Sequence, residues 1–184
     1  MGKGLRLLVA LGLLVPFGAT IAAPAGAAGP LPPTCKSFSG TSTYSPPLPK
    51  LGDKTKVNST VTLSAKYAGC SGVSGITSGI SSSITKLTQQ NCTTQITSAG
   101  TGQKSVGTVK WNNGKTTTSS DVLTLKSKVG VSPATFQLVA KITAGVGVGH
   151  TTTTTLSVTF NSPKVCISAT LSKATFHATK STTK

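Results

Sequence analysis

Apolar and polar side chains alternate along most of the chain after residue 33, which is the pattern of half-buried β-strands. The clearest example is 56–68, in which the side chains at every second position form one mainly apolar face. That face consists of Val57, Ser59, Val61, Leu63, Ala65 and Tyr67. A period of two with one apolar face predicts an antiparallel strand that covers a core.

Similar patterns, separated by turn signals, predict seven more strands. They cover 36–44, 76–87, 104–111, 115–126, 134–143, 150–161 and 165–178. Asn112-Asn-Gly114 favours a hairpin between two of them, since residues in such turns must tolerate positive φ. The isoleucines of 76–87 also fit helical spacing, but the glycine and serine around them favour a strand. Many short strands are typical of a sandwich or a barrel, and we expect an immunoglobulin-like antiparallel β-sandwich of about seven to nine strands.

The first 28 residues have the layout of a secretory signal peptide. Lys3 and Arg6 precede an apolar run from Leu7 to Phe17, and small residues suitable for cleavage follow up to Ala28. The alternative is a membrane anchor, but the apolar run is much shorter than the roughly 20 residues that a spanning helix needs. We therefore predict a signal peptide at 1–28, one secreted domain at 29–184, and no membrane span in the mature chain.

Four cysteines, Cys35, Cys70, Cys92 and Cys166, form an even set in a chain that we expect to be exported. Such a set predicts two disulfides, because exported proteins fold in an oxidising compartment. Their long spacings do not fit a zinc site. If successive strands run antiparallel, strand parity favours Cys35 with Cys70 and Cys92 with Cys166, although an extra strand would undo the second pair.

Several short motifs follow one another in an order that resembles a group of uncharacterised secreted proteins of high-GC Gram-positive bacteria, the actinobacteria. They are Cys35 followed by Ser39-Gly-Thr-Ser-Thr-Tyr-Ser-Pro46, Cys70 followed by Gly75-Ile-Thr-Ser-Gly79, the lone Cys92, Gly107-Thr-Val-Lys-Trp-Asn-Asn-Gly-Lys-Thr-Thr117, and Cys166 at the start of the last strand. The resemblance implies a β-sandwich and transfers no activity.

Few side chains in residues 29–184 could carry out acid–base chemistry. The inventory is Asp53, Asp121, His150 and His177, with no glutamate. Asp53 lies in a turn-like Gly-Asp-Lys sequence, and no nucleophile motif such as Gly-x-Ser-x-Gly accompanies either histidine. We therefore predict no enzymatic activity, no cofactor and no metal site.

Positive charge is the most unusual property of the sequence. Residues 29–184 contain sixteen lysines and two aspartates, a formal charge of +14. Lys54 with Lys56, and Lys126 with Lys128, are spaced to share strand faces and are our candidate contacts for a polyanion. The absence of arginine from residues 29–184 argues against specific nucleic-acid recognition. The alternative, which we favour from the sequence alone, is a solvated surface whose charge keeps the protein soluble and discourages strand-edge pairing.

Two function classes remain open from the sequence. The first is an extracellular structural or interaction protein that binds an anionic cell-wall polymer or an unidentified extracellular protein. The second is a glycan-binding or small-ligand module with Trp111 as a stacking platform, which would require an exposed indole in a pocket. Trp111 directly precedes the predicted hairpin turn, where a tryptophan more often covers the end of a core.

Overall fold

Eight antiparallel strands form the fold of this chain. The computed structural model describes residues 29–127, 133–162, 164 and 166–184, without the side chains of residues 96–98. The signal peptide predicted at 1–28 therefore lies outside the described residues. The strands are β1 (Thr34–Leu48), β2 (Val57–Ser71), β3 (Ser78–Gln90), β4 (Gln103–Trp111), β5 (Thr116–Leu125), β6 (Ala134–Gly145), β7 (Thr151–Phe160) and β8 (Leu171–Thr183), and helix α1 (Cys92–Thr101) lies between β3 and β4. No helix within these ranges has the length and apolarity needed to cross a bilayer.

Each strand pairs with its neighbours in sequence, and β1 also pairs with β8, so the sheet closes into a barrel. The expected immunoglobulin-like sandwich is therefore wrong, although the all-β class and the strand number are confirmed. A sandwich has two separate sheets joined by crossing connections. Here the β1–β8 ladder, which includes Ser39 opposite His177 and Thr41 opposite Thr175, joins the two ends of a single sheet.

The interior is filled by side chains from the predicted apolar faces. Phe38 and Tyr67 stack with ring centroids 4.4 Å apart. Phe176 also contacts Phe38, at 5.6 Å between centroids. Gly40 leaves the space that Phe176 fills, because a β-carbon at this position would collide with the ring. The alternation in β2 thus identified the core-facing side correctly, and Tyr67 lies inside as predicted.

The β4–β5 hairpin is confirmed at its predicted position. The Trp111 N–H donates to Lys115 O at 2.9 Å, and the Gly114 N–H donates to Trp111 O at 3.0 Å. Of the loop residues only Gly114 has a positive φ, 82°. This is the three-residue hairpin with glycine in the left-handed position, rather than a two-residue turn with two left-handed residues.

Strand ends differ from the prediction most clearly in β1 and β8, and β8 begins at Leu171, so Cys166 precedes the last strand and does not open it. β1 continues through Ser45-Pro46-Pro47 to Leu48, where its register with β8 shifts. Proline is tolerated at such a ladder irregularity because its missing N–H leaves no ladder bond broken. At its other end β8 continues past residue 178, where the pattern predicted it to stop, and Lys184 exchanges two backbone hydrogen bonds of 2.9 Å with Thr151.

Helix α1 was not predicted. Its sequence, Cys-Thr-Thr-Gln-Ile-Thr-Ser-Ala-Gly-Thr, is rich in residues of low helix propensity. The helix begins with a capping box, in which the Asn91 side chain accepts from the Thr94 N–H and the Thr94 hydroxyl accepts from the Asn91 N–H, both at 3.0 Å. The cap and the buried Cys92 that follows it therefore fix the start of the helix.

Both disulfides have the pairing that strand parity favoured. Cys35–Cys70 joins residues that face each other in the β1–β2 ladder. Cys92–Cys166 joins the start of α1 to the β7–β8 connection. Cys92, Cys166, Leu48 and Leu171 form a buried cluster at that end of the barrel.

The ladder between β3 and β4 is much shorter than the others. It consists of two residue pairs, Gly79 with Trp111 and Ile80 with Lys110. Beyond them the two strands separate, and α1 connects their far ends. We call the unpaired facing edges, 82–86 of β3 and 104–108 of β4, the β3–β4 seam.

Candidate polyanion-binding surface

The two acidic side chains are both kept away from the outer face of the barrel wall. Asp121 lies on the inward side of β5, the same side as Thr117 and Leu123. Asp53 lies in the β1–β2 connection at one end of the barrel. Among the described residues, the charged or ionisable side chains on the outer wall therefore include lysines and histidine but no carboxylate.

Lysines from three connections gather at the end of the barrel where β1, β3, β5 and β7 finish. Lys50, Lys54 and Lys56 are in the β1–β2 connection, Lys126 follows β5 and Lys164 lies between β7 and β8. We call these five residues the cationic end. We expected Lys54 and Lys56 to share a strand face. This prediction is wrong, because β2 begins only at Val57. Lys128 lies outside the described residues.

Hydrogen bonds hold these connections together. The Leu51 N–H donates to Cys166 O at 2.6 Å, and the Cys92 N–H donates to Pro49 O at 3.0 Å. The Asn91 side-chain amide donates to Asp53 O, also at 3.0 Å. With the Cys92–Cys166 disulfide, these bonds fix the β1–β2 and β7–β8 connections, which carry all of these lysines except Lys126.

A shallow groove of about 400 Å³ lies on the outer wall across β2, β1 and β8. In the strand register Ser39 stands opposite both Lys66 on β2 and His177 on β8, so the three form a row across the wall. The lining residues are Ser39, Gly40, Thr41, Ser64, Lys66, Thr175, Phe176 and His177. The groove therefore offers an ammonium group, an imidazole and several hydroxyls, and no carboxylate.

The two aspartates have pKa values shifted in opposite directions. The pKa of Asp53 is lowered, first by the hydrogen bond that its carboxylate accepts from the Thr55 backbone N–H, at 2.8 Å. The pKa of Asp121 is raised by burial, against a smaller opposing effect of a hydrogen bond from the Ser119 side chain. Within the described chain the hydrogen bonds that shift these two pKa values come from Thr55 and Ser119, and neither comes from a histidine.

The histidines occupy different settings. His150 Nε2 lies 2.8 Å from the carbonyl oxygen of Gly29, so it anchors the segment before β1 to the β6–β7 hairpin. His177 is exposed in the middle of β8, and it lines the groove.

Trp111 is buried, with 5% of its surface exposed. Its indole N–H donates to the Thr117 hydroxyl at 2.9 Å, and its ring packs 5.5 Å from that of Tyr67. The ring therefore covers one end of the core and presents no face on which a sugar could stack. It is also absent from the lining of the groove.

Sequence reasoning missed Lys66 and His177 as partners, because only the strand register places them on either side of Ser39. It also missed that Lys54, Lys56 and Lys126 share one end, although the parity argument used for the cysteines applies to them too. Comparison with models of known protein families, with curated proteins and with solved structures found no match for this chain. The resemblance to secreted actinobacterial proteins stays a prediction.

Proposed function

We propose that this protein is an extracellular, non-catalytic binding protein that holds anionic polymers of the cell envelope against its outer wall. The observation that carries the proposal is the groove in which Lys66, Ser39 and His177 form a row with no carboxylate nearby. An ammonium group and hydroxyl donors are suited to phosphate, sulfate or carboxylate groups. The cationic end supplies a second region of positive potential that attracts the same polymers.

An extracellular site of action is supported by two features. The signal-like first 28 residues would direct export, and both cysteine pairs are disulfide-bonded, which is compatible with an oxidising location. Outside the cell, the excess of lysine would attract anionic polymers electrostatically. Glycan binding through Trp111 has no comparable support, since the indole is buried.

Retention of the oxidised 29–184 protein on immobilised heparin, with amylose as the uncharged comparison, tests the proposal. We expect retention on heparin that disappears with salt, because the screening length shortens from about 10 Å at 0.1 M to about 3 Å at 1 M. We expect no retention on amylose. Equal retention on both supports, or none on heparin, would contradict polyanion binding.

Matched lysine variants locate the contact. Lys66→Gln removes the ammonium group of the groove, His177→Gln removes its imidazole, and Lys115→Gln removes one charge at the tip of the β4–β5 hairpin. If the groove is the site, the first two variants elute at clearly lower salt than the third. Similar shifts in elution salt for Lys66→Gln and Lys115→Gln would show that binding is spread over a diffuse electrostatic surface. A larger shift for the Lys54→Gln, Lys56→Gln double variant would show that the polymer binds at the cationic end.

A further inference from the structure

The β3–β4 seam carries backbone hydrogen-bonding groups that have no strand partner. The Asn112 N–H donates to Ser78 O at 3.0 Å, which sets the alternation of bonded positions along β3. In an antiparallel ladder every second residue points its N–H and C=O toward the same neighbour. Ser82, Ile84 and Lys86 therefore point these groups toward β4, where the described ladder has already ended at Ile80.

Solvent reaches both faces of β3 along this stretch. Residues 82–86 are all exposed, although alternate side chains belong to the inner side of the barrel. On β4, residues 104–106 are exposed in the same way. The separation of the strands is therefore a real opening in the wall, and an extended chain can approach the β3 edge from the side.

Apolar side chains on the outer face border this opening. Ile80, Ile84 and Val106 have 57%, 72% and 71% of their surfaces exposed. An unpaired strand edge with exposed isoleucines can pair with another chain. Most proteins protect such edges against aggregation, and some use them to bind a partner by strand addition. Lysine, which discourages such pairing, occurs here as well, at positions 86 and 104.

We propose that the seam is a docking site for an extended acidic segment of another protein, which adds to β3 as a further strand. Lys66, Lys86, Lys104 and Lys110 all lie on the outer faces of β2, β3 and β4 around the seam, with no outward acidic residue among them. This charge favours a partner strand with glutamate or aspartate beside one apolar residue that contacts Ile84. It disfavours a second copy of this chain, since the same lysines would then face one another.

The probe is the peptide acetyl-Thr-Glu-Thr-Val-Thr-Glu-Thr-amide, studied with the oxidised 29–184 protein. We expect the peptide to slow amide hydrogen exchange at Ser82, Ile84 and Lys86, which have no ladder bonds in the free protein. A peptide with the same side chains but alternate N-methylated amides should bind at least about tenfold more weakly, because it cannot form the ladder. Equal binding of the two peptides, or no binding of the first, overturns the proposal.

Two variants at one position provide a matched control. Ile84→Pro removes a seam-facing N–H without removing a bond to β2, whereas Ile84→Thr keeps the N–H and the branched side chain. We expect Ile84→Pro to lose binding at least about fivefold relative to Ile84→Thr, with both variants checked for an unchanged unfolding midpoint. If the seam amides of the free protein are already protected and the protein sediments as a dimer, a second copy is the occupant and the proposal is wrong.

Discussion

Gly107 lies against the carboxylate of Asp121 on the inner side of the barrel, and a β-carbon at position 107 would meet Asp121 Oδ2. The other oxygen, Oδ1, is buried with no hydrogen-bond partner. Burial accordingly raises the pKa of Asp121. The β4–β5 hairpin therefore holds a carboxyl group whose ionised form is poorly accommodated in the folded protein.

We expect Asp121→Asn to stabilise the protein at neutral pH. A folded-state pKa above the unfolded value means that the folded protein binds the proton more tightly, so stability falls as pH rises through the interval between the two values. The variant should gain about 1 kcal/mol at pH 7, the scale of an unsatisfied buried polar group, and little at pH 3. Urea unfolding at the two pH values measures the difference.

Asp53→Asn provides the control of opposite sign. The pKa of Asp53 is lowered in the folded protein, so its contribution is present above the unfolded pKa and is lost as pH falls through the folded value. This variant should be no more stable than the parent at pH 7. A stability gain for Asp53→Asn, or a gain for Asp121→Asn that does not depend on pH, would contradict the assignment.

Gly107→Ala is expected to destabilise the protein by about 1 kcal/mol, the low end for an inserted methyl group, because the side-chain oxygens of Asp121 and Ser119 must both move to admit it. Gly100 in α1 is the matched position, since a β-carbon there meets nothing within 4 Å. Gly100→Ala should be neutral or slightly stabilising. Thermal unfolding of the two variants provides the comparison.

A double variant tests whether the Gly107 effect arises from Asp121. Adding Asp121→Ala to Gly107→Ala removes the group with which the new methyl collides, so part of the lost stability should return. An additive loss in the double variant would show that the two positions do not interact.

Removal of the Cys92–Cys166 disulfide should cost more stability than removal of Cys35–Cys70. The sequence separations are 74 and 35 residues, for which the chain-entropy relation gives about 4.5 and about 4 kcal/mol. Cys92 is also fully buried against Leu48 and Leu171, whereas Cys35 is half-buried in a ladder that already holds its two strands together. Double Cys→Ala variants of each pair, unfolded in guanidinium chloride, give the two values, and the reverse order would show this reasoning to be wrong.

Local patterns predicted most of the strands. The alternation in β2 identified both its faces, and Asn112-Asn-Gly114 located a hairpin, because these signals depend on neighbouring residues only. Helix α1 has no such signal, since its low intrinsic propensity is offset by the Asn91 cap and the burial of Cys92. Those stabilising contacts become visible only in the folded chain.

Closure of the barrel and the features of the site depend on pairings between distant residues. An alternating strand has one buried face in a sandwich and in a barrel alike, so the apolar pattern does not distinguish them. The register that places His177 opposite Ser39 decides both the closure and the groove. The seam likewise follows from the early end of the β3–β4 ladder, which the residues of β3 do not indicate.

The β1–β8 ladder also determines the order in which this barrel can be completed. Seven of the eight ladders join strands that are consecutive in sequence, whereas this one joins the first strand to the last. Such distant pairing requires closure of a long loop and is slow relative to hairpin formation. A chain synthesised from its N-terminus therefore keeps the free edge of β1 exposed until β8 is available, so the last 14 residues, Leu171 to Lys184, act as the segment that protects the growing sheet from aggregation.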